Sequence, residues 1–223
     1  MKDMWLLFLV GMLSLLFVSL SSVSASAGSL ENLVAQLKHD DEDARTEAVR
    51  ELIRMKSPEA AYALAGFMDY TFMDWNLKIE IMKLLGEIKL PRAVKSFVDV
   101  LEVEKCPALK WHAARGLGNF PGNAQALAAL LSAFPDEDEP QVREGIVISL
   151  GELRDDKAVP LLLSLLNDAG FAVRHAAIRS LGKIGALETL PALQKALLSE
   201  KDAFAQEALR NAMRNIESGM THR

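Results

Sequence analysis

Three columns of residues recur in step along this chain, and they constrain its fold more than any other feature. Basic or amide side chains stand at Arg45, Lys78, Lys110, Arg143, Arg174 and Gln206, with intervals of 33, 32, 33, 31 and 32 residues. Seven positions after each comes an apolar residue: Leu52, Leu85, Leu117, Leu150, Leu181 and Met213. Ten positions after come Met55, Ile88, Phe120, Leu153, Ile184 and Ile216. Gly86, Gly118, Gly151 and Gly182 directly follow the leucine in the central copies, while Ile53 and Arg214 take that place in the end copies. A repeat of this length is one supersecondary unit that buries its apolar side only by stacking on its neighbours.

The clearest copy is 171–185, FAVRHAAIRSLGKIG. Val173, Ala176, Ala177, Leu181 and Ile184 form one apolar stripe at helical period. Gly182 is read as a small contact point and Gly185 as a left-handed C-cap. Four positions before each reference residue stand Asp41, Asp74, Cys106, Glu139, Gly170 and Asp202, where an N-cap belongs. Pro107 and Pro140 come next, at the first helical position that proline favours. A further helix precedes each of these, over 30–38, 58–69, 91–102, 123–134, 158–166 and 189–197. The unit is therefore helix, loop, helix, short turn. Only 6% of residues are aromatic and no strand-like alternation is sustained after residue 30, so the expectation is an all-α chain.

The run DDKAVPLLLSLLND, FAVRHAAIRSLGKIG, ALETLPALQKALL resembles HEAT repeats, and more closely the short HEAT-like units of phycobilisome lyases. The likeness covers about residues 29–217. It implies a right-handed α-solenoid of about six helix pairs, the second helix of each pair lining the concave side, with atypical first and last repeats as caps. It also implies that the Arg45-to-Gln206 column ties neighbouring repeats together. The other reading of that column is an anion-binding ladder.

Residues 5–20 form an almost unbroken apolar run, followed by SSVSASA with Ala25-Ser26-Ala27. That is the form of a secretory signal peptide cleaved after Ala27. The expected organisation is a signal segment over 1–27 and a HEAT-like repeat domain over 28–223, in an exported, periplasmic or extracellular protein. The alternative is an uncleaved anchor in the inner membrane, the one route to membrane contact, although about 16 apolar residues fall short of the roughly 20 that span a bilayer.

A net charge of −5 argues against nucleic acid as a partner. The one cysteine, Cys106, precludes an internal disulfide. It stands at an N-cap, as either a reactive thiol or a small loop residue. HEAT-like deoxyhypusine hydroxylases hold a di-iron centre with His-Glu pairs. Here Asp40, Ala113, Ala176 and Arg223 follow the four histidines, so no metal site carries over. The acidic runs at 40–43 and 136–139 lack the spacing of a calcium loop and read as helix-dipole charges. No phosphate loop, HExxH or nucleophile elbow occurs, and no cofactor is expected.

The remaining candidate is a surface. One and five residues after each reference position, side chains share a helix face offset from the buried stripe. This places Lys83, Arg115 and Arg179 in a row with Ile79, Trp111 and Ile148. A central Trp beside Arg is the composition of a protein-binding hot spot. The expected role is a non-catalytic scaffold or adaptor gripping a protein partner along its concave side. The alternative is an enzyme or enzyme subunit of the lyase type, acting on a bound chromophore or protein.

Overall fold

The computed structural model describes residues 29–67 and 74–220. The expected signal segment over 1–27 lies outside the described residues. The described residues are helical, with no strand among them. They form α1 (29–36), α2 (Glu42–Met55), α3 (Pro58–Ala65), α4 (Trp75–Ile88), α5 (Ala93–Val103) and α6 (Pro107–Leu117). These are followed by α7 (Ala124–Ala133), α8 (Pro140–Leu153), α9 (Val159–Ser164), α10 (Phe171–Ile184), α11 (Leu190–Ser199) and α12 (Ala203–Met220). The odd-numbered helices are the first members of the pairs and the even-numbered ones the second. Among the described residues no helix is long and apolar enough to cross a membrane.

The chain divides into two compact units, one ending at Leu64 and the other beginning at Ala65. The first holds α1, α2 and most of α3, and buries Leu37, Val49, Leu52, Ala60, Ala61 and Leu64 completely. In the second, the even-numbered helices pack in series, α4 on α6, α6 on α8, α8 on α10 and α10 on α12. The odd-numbered helices pack on their own partners, as α5 does on α6 and α7 on α8. Leu85, Leu117, Leu150 and Leu181, the residues seven after the reference, are wholly buried. Burying one such side chain contributes about 1.5–3 kcal/mol.

Helix starts follow the expected positions. Asp41 and Asp74 cap α2 and α4 through their carboxylates, which accept from Asp43 N (3.2 Å) and Asn76 N (2.6 Å). Asp202 accepts from Ala205 N at 2.9 Å. Helix ends are more varied. Lys56, Lys89, Arg154 and Gly185 close α2, α4, α8 and α10 in the left-handed conformation, with φ of 47°, 55°, 53° and 79°. The corresponding residue of the third repeat is Pro121, whose ring fixes φ near −65° and forbids that turn. There α6 ends early, at Leu117, and the positive φ passes to Gly122 at 79°.

The first helix of the fifth repeat is shorter than the expected 158–166, while that of the sixth begins one residue later than the expected 189 and runs on to Ser199. Three-residue 3-10 turns, Asp156–Ala158 and Leu187–Thr189, lead into α9 and α11. Pro160 and Pro191 then occupy the first turns, where a missing N–H costs nothing.

Candidate functional site

The reference column is a structural ladder, and the residues on its other side were not read from the sequence. Lys110 is ion-paired with the buried Glu137 of the next repeat. Arg143 donates to the carbonyl of Glu137 at 3.0 Å and reaches Asp168 Oδ2 at 3.4 Å. Arg174 donates to the carbonyl of Asp168 at 2.7 Å and to Glu200 Oε2 at 3.1 Å, and Gln206 donates to the carbonyl of Glu200 at 2.8 Å. Arg143 and Arg174 thus each hold their own repeat's loop and the acid of the following one.

Glu137, Asp168 and Glu200, and Glu104 before them, stand six positions before the reference residues. They also organise the loops. Glu104 accepts from Lys105 N and Cys106 N, Glu137 from Glu139 N, Asp168 from Gly170 N, and Glu200 from Lys201 N and Asp202 N. His39 fills the same place in the first repeat, accepting from Asp41 N through Nδ1 at 3.1 Å. The sequence signal was present, an acceptor side chain two residues ahead of every cap but Asp74, where Phe72 stands, but its chemistry changes from His to Glu to Asp. The Glu200 carboxyl is held below the usual range, chiefly by the Asp202 N–H. Burial opposes this, and Lys201 N–H and Arg174 add to it. The run at 136–139 therefore supplies a rung, and the half-buried Cys106 sits at the cap of α6 with no side-chain hydrogen bond there.

The second helices approach so closely because small residues face one another. Gly118 meets Ser149, Gly151 meets Ser180 and Gly182 meets Ala212. Ser180 Oγ also donates to Val147 O at 2.9 Å, tying α10 to α8.

This close stacking sets out the candidate face. Lys83 and Arg179 are exposed, and Trp111, Arg115 and Ile148 are half-buried. Ile79 is not on the open face: it is 8% exposed and belongs to the core. The Trp111 indole lies against α8, where a methyl on Gly145 would come within 2.9 Å of Cδ1. It also stands edge-on to His112, with ring centres 4.8 Å apart. Much of this tryptophan is packing, and the residue is half-buried. Arg115 Nη1 is 3.4 Å from Ser149 Oγ.

Of the grooves that open between second helices, two hold the candidate residues. One, of about 230 Å³ between α4 and α6, brings together Lys83, Glu87, His112, Arg115 and Asn119. The other, of about 390 Å³ between α10 and α12, is lined by His175, Arg179, Lys183, Phe204, Glu207 and Asn211. Lys83 and Arg115 thus share one groove and Arg179 lies in another. Asn119 and Lys183 stand nine after the reference, one helical turn beyond Arg115 and Arg179, and extending the column by four would have found them. Both groove imidazoles are lowered, chiefly by burial. Burial and then Lys83 push His112 below the usual range. Burial and then Arg179 do the same to His175, with Asp202 and Glu144 opposing.

The family model for HEAT repeats matches residues 70–150 and 136–214. Deoxyhypusine hydroxylase-B of Oryza sativa subsp. japonica is 31% identical over 120 residues, 53% of this chain and 39% of that protein. The chain spans 29–39% of the length of the deoxyhypusine hydroxylases it matches. An iron centre does not fit these residues, because Ala113 and Ala176 follow His112 and His175. Nor do the described residues gather three or more His, Cys, Asp or Glu side chains able to hold a metal ion. The bilin biosynthesis protein PecF of Nostoc sp. is 23% identical over 87% of this chain and 99% of its own. A designed armadillo repeat protein in complex with the peptide (KR)4 superposes with a TM-score of 0.56 at 20% identity, over 84% of this chain and 99% of that one. With its 31–33-residue helix pairs, its ladder and its family match over 70–214, the chain belongs to the HEAT repeat family.

Proposed function

We propose that this chain is an exported, non-catalytic HEAT-repeat scaffold that binds a protein partner along the second-helix face. The observation that carries this reading is the pair of open grooves on one row of helices, α4–α6 and α10–α12, with Trp111 and Ile148 partly exposed between them. A row of this kind offers several contact points to one ligand, each set by a different repeat. The designed armadillo repeat protein, in complex with a peptide, fits this reading. Export rests on the apolar run and Ala25-Ser26-Ala27. The likeness to PecF along nearly its whole length favours a second reading, a subunit of a bilin-handling assembly, for which visible absorbance of the purified chain is the direct check.

The test places a photo-cross-linking residue at Glu87 or Asn119 in the first groove, and at Glu102 or Lys195 on exposed first-helix positions. One adduct mass from the groove positions and none from the others is expected, on a chain whose intact mass begins at Gly28. Adducts from Glu102 or Lys195, or from no position, would overturn the face. Retention of 1–27 in the membrane would replace export by anchoring.

A further inference from the structure

The two grooves differ from the chain around them in charge. The whole chain is acidic, with a net charge of −5, yet each groove carries more cation than free carboxylate. In the first, Lys83 and Arg115 face Glu87 alone. In the second, Arg179 and Lys183 line the wall with Glu207, and Glu207 is already engaged by Arg210 and Arg214. Lys183 is paired with Glu152. Among the described residues, Lys83, Arg115 and Arg179 make no ion pair, whereas the ladder cations Lys110, Arg143 and Arg174 all do. The face therefore holds its spare positive charge at two ends. Between them Ile148 of α8 and Trp111 of α6 are half-buried apolar surface.

We infer that the occupant of this face is an extended acidic segment of a protein partner, one carboxylate seated in each groove and an apolar side chain lying over Ile148 between them. This rests on the reading of the face as a partner-binding surface. The grooves are three helix spacings apart, and stacked helices lie about 8–10 Å from one another, so their separation is roughly 25–30 Å. An extended chain advances about 3.3 Å per residue, which puts the two acidic residues about eight positions apart. Spare cations steer an acidic partner to this face, while the net negative charge of the molecule repels it elsewhere. They discriminate against a basic segment, which would meet Lys83 and Arg115 with Glu87 as the one carboxylate in the first groove, and Arg179 beside a Glu207 already engaged in the second.

The test uses fluorescein-labelled synthetic peptides and the purified full chain. The first peptide carries Asp-Glu at both ends of a Leu-containing spacer of about six residues. The second has the same composition with all acids at one end, and the third is (KR)4. The first is expected to bind at least about tenfold more tightly than the second, with affinity falling as salt rises. (KR)4 should not bind. Lys83→Glu and Arg179→Glu, one exposed position in each groove, should each weaken the first peptide about tenfold or more. Lys157→Glu, exposed on a turn away from both grooves, should leave it unchanged. Circular dichroism confirms that the variants stay folded. Equal binding of both acidic peptides would reduce the effect to general polyanion attraction and overturn the inference. So would indifference to the groove reversals, or binding of (KR)4. If cross-links still form at Glu87 and Asn119 in that case, the face stands and only the acidic occupant falls.

Discussion

Gly151 has room for a hydrogen atom and nothing larger. A methyl there would lie 2.6 Å from the Cβ and 2.7 Å from the Cα of Ser180, and the Cα cannot swing aside as a side-chain end can. Gly151→Ala must therefore push α8 and α10 apart, at a cost of about 1–3 kcal/mol. Gly219, near the end of α12, has nothing within 4 Å of the same position. Gly219→Ala should be neutral or stabilising by up to about 1 kcal/mol, because alanine gives up less backbone freedom on entering a helix. Urea denaturation of both variants reads the contrast, and equal stability would mean that the helices do not meet at Gly151. The glycine column was legible in the sequence. The residues it meets, Ser149, Ser180 and Ala212, were not, because small side chains six positions after the reference residue show no pattern until the next repeat is laid over them.

At the scale of the element, each rung joins one helix to the following loop, and the last rung can be read by its pH dependence. Glu200 accepts from two backbone N–H groups and from Arg174, and its carboxyl is held below the usual range, first by Asp202 N–H. A carboxyl with a lowered folded pKa binds fewer protons folded than unfolded as the pH passes through the ordinary glutamate range. Its contribution is therefore complete above that range and is lost as the pH falls through it. Glu200→Gln removes the titrating group. The variant should be less stable than the parent at neutral pH, and the two should converge as the pH drops below about 4. Thermal melts at a series of pH values follow this directly, and a stability gap that does not change with pH would mean that Glu200 acts only by shape. The cations of the ladder were legible as a column, and the resemblance to HEAT-like units supplied their role. The acids were hidden because His39, Glu104, Glu137, Asp168 and Glu200 do one job with three chemistries. The early end of α6 was hidden in another way, since it follows from Pro121 occupying a place where the other repeats need a positive φ.

Across the molecule, the repeats inside the second unit have no common centre. Each buries its leucine against the neighbours on either side, so a loss in the middle is felt as a weakened joint between blocks. Leu150 sits at such a joint, wholly buried in α8, which packs on α6 before it and α10 after it. Leu150→Ala should cost about 2–5 kcal/mol, the range for emptying a leucine site that relaxes only in part. The more telling outcome is the form of the transition. Stability in a stacked array is the sum of repeat terms and nearest-neighbour interfaces, so weakening one interior interface lets the blocks on its two sides unfold at different denaturant concentrations. Circular dichroism should show a broader urea transition. Hydrogen exchange should show amides of α4 and α6 losing protection separately from those of α10 and α12. A loss under about 0.5 kcal/mol, the scale of surface substitutions, would mean that the leucine column is not the buried seam. A full loss with one sharp transition would mean that the second unit unfolds as a single cooperative body, and its interfaces would then have to be much stronger than the repeats they join.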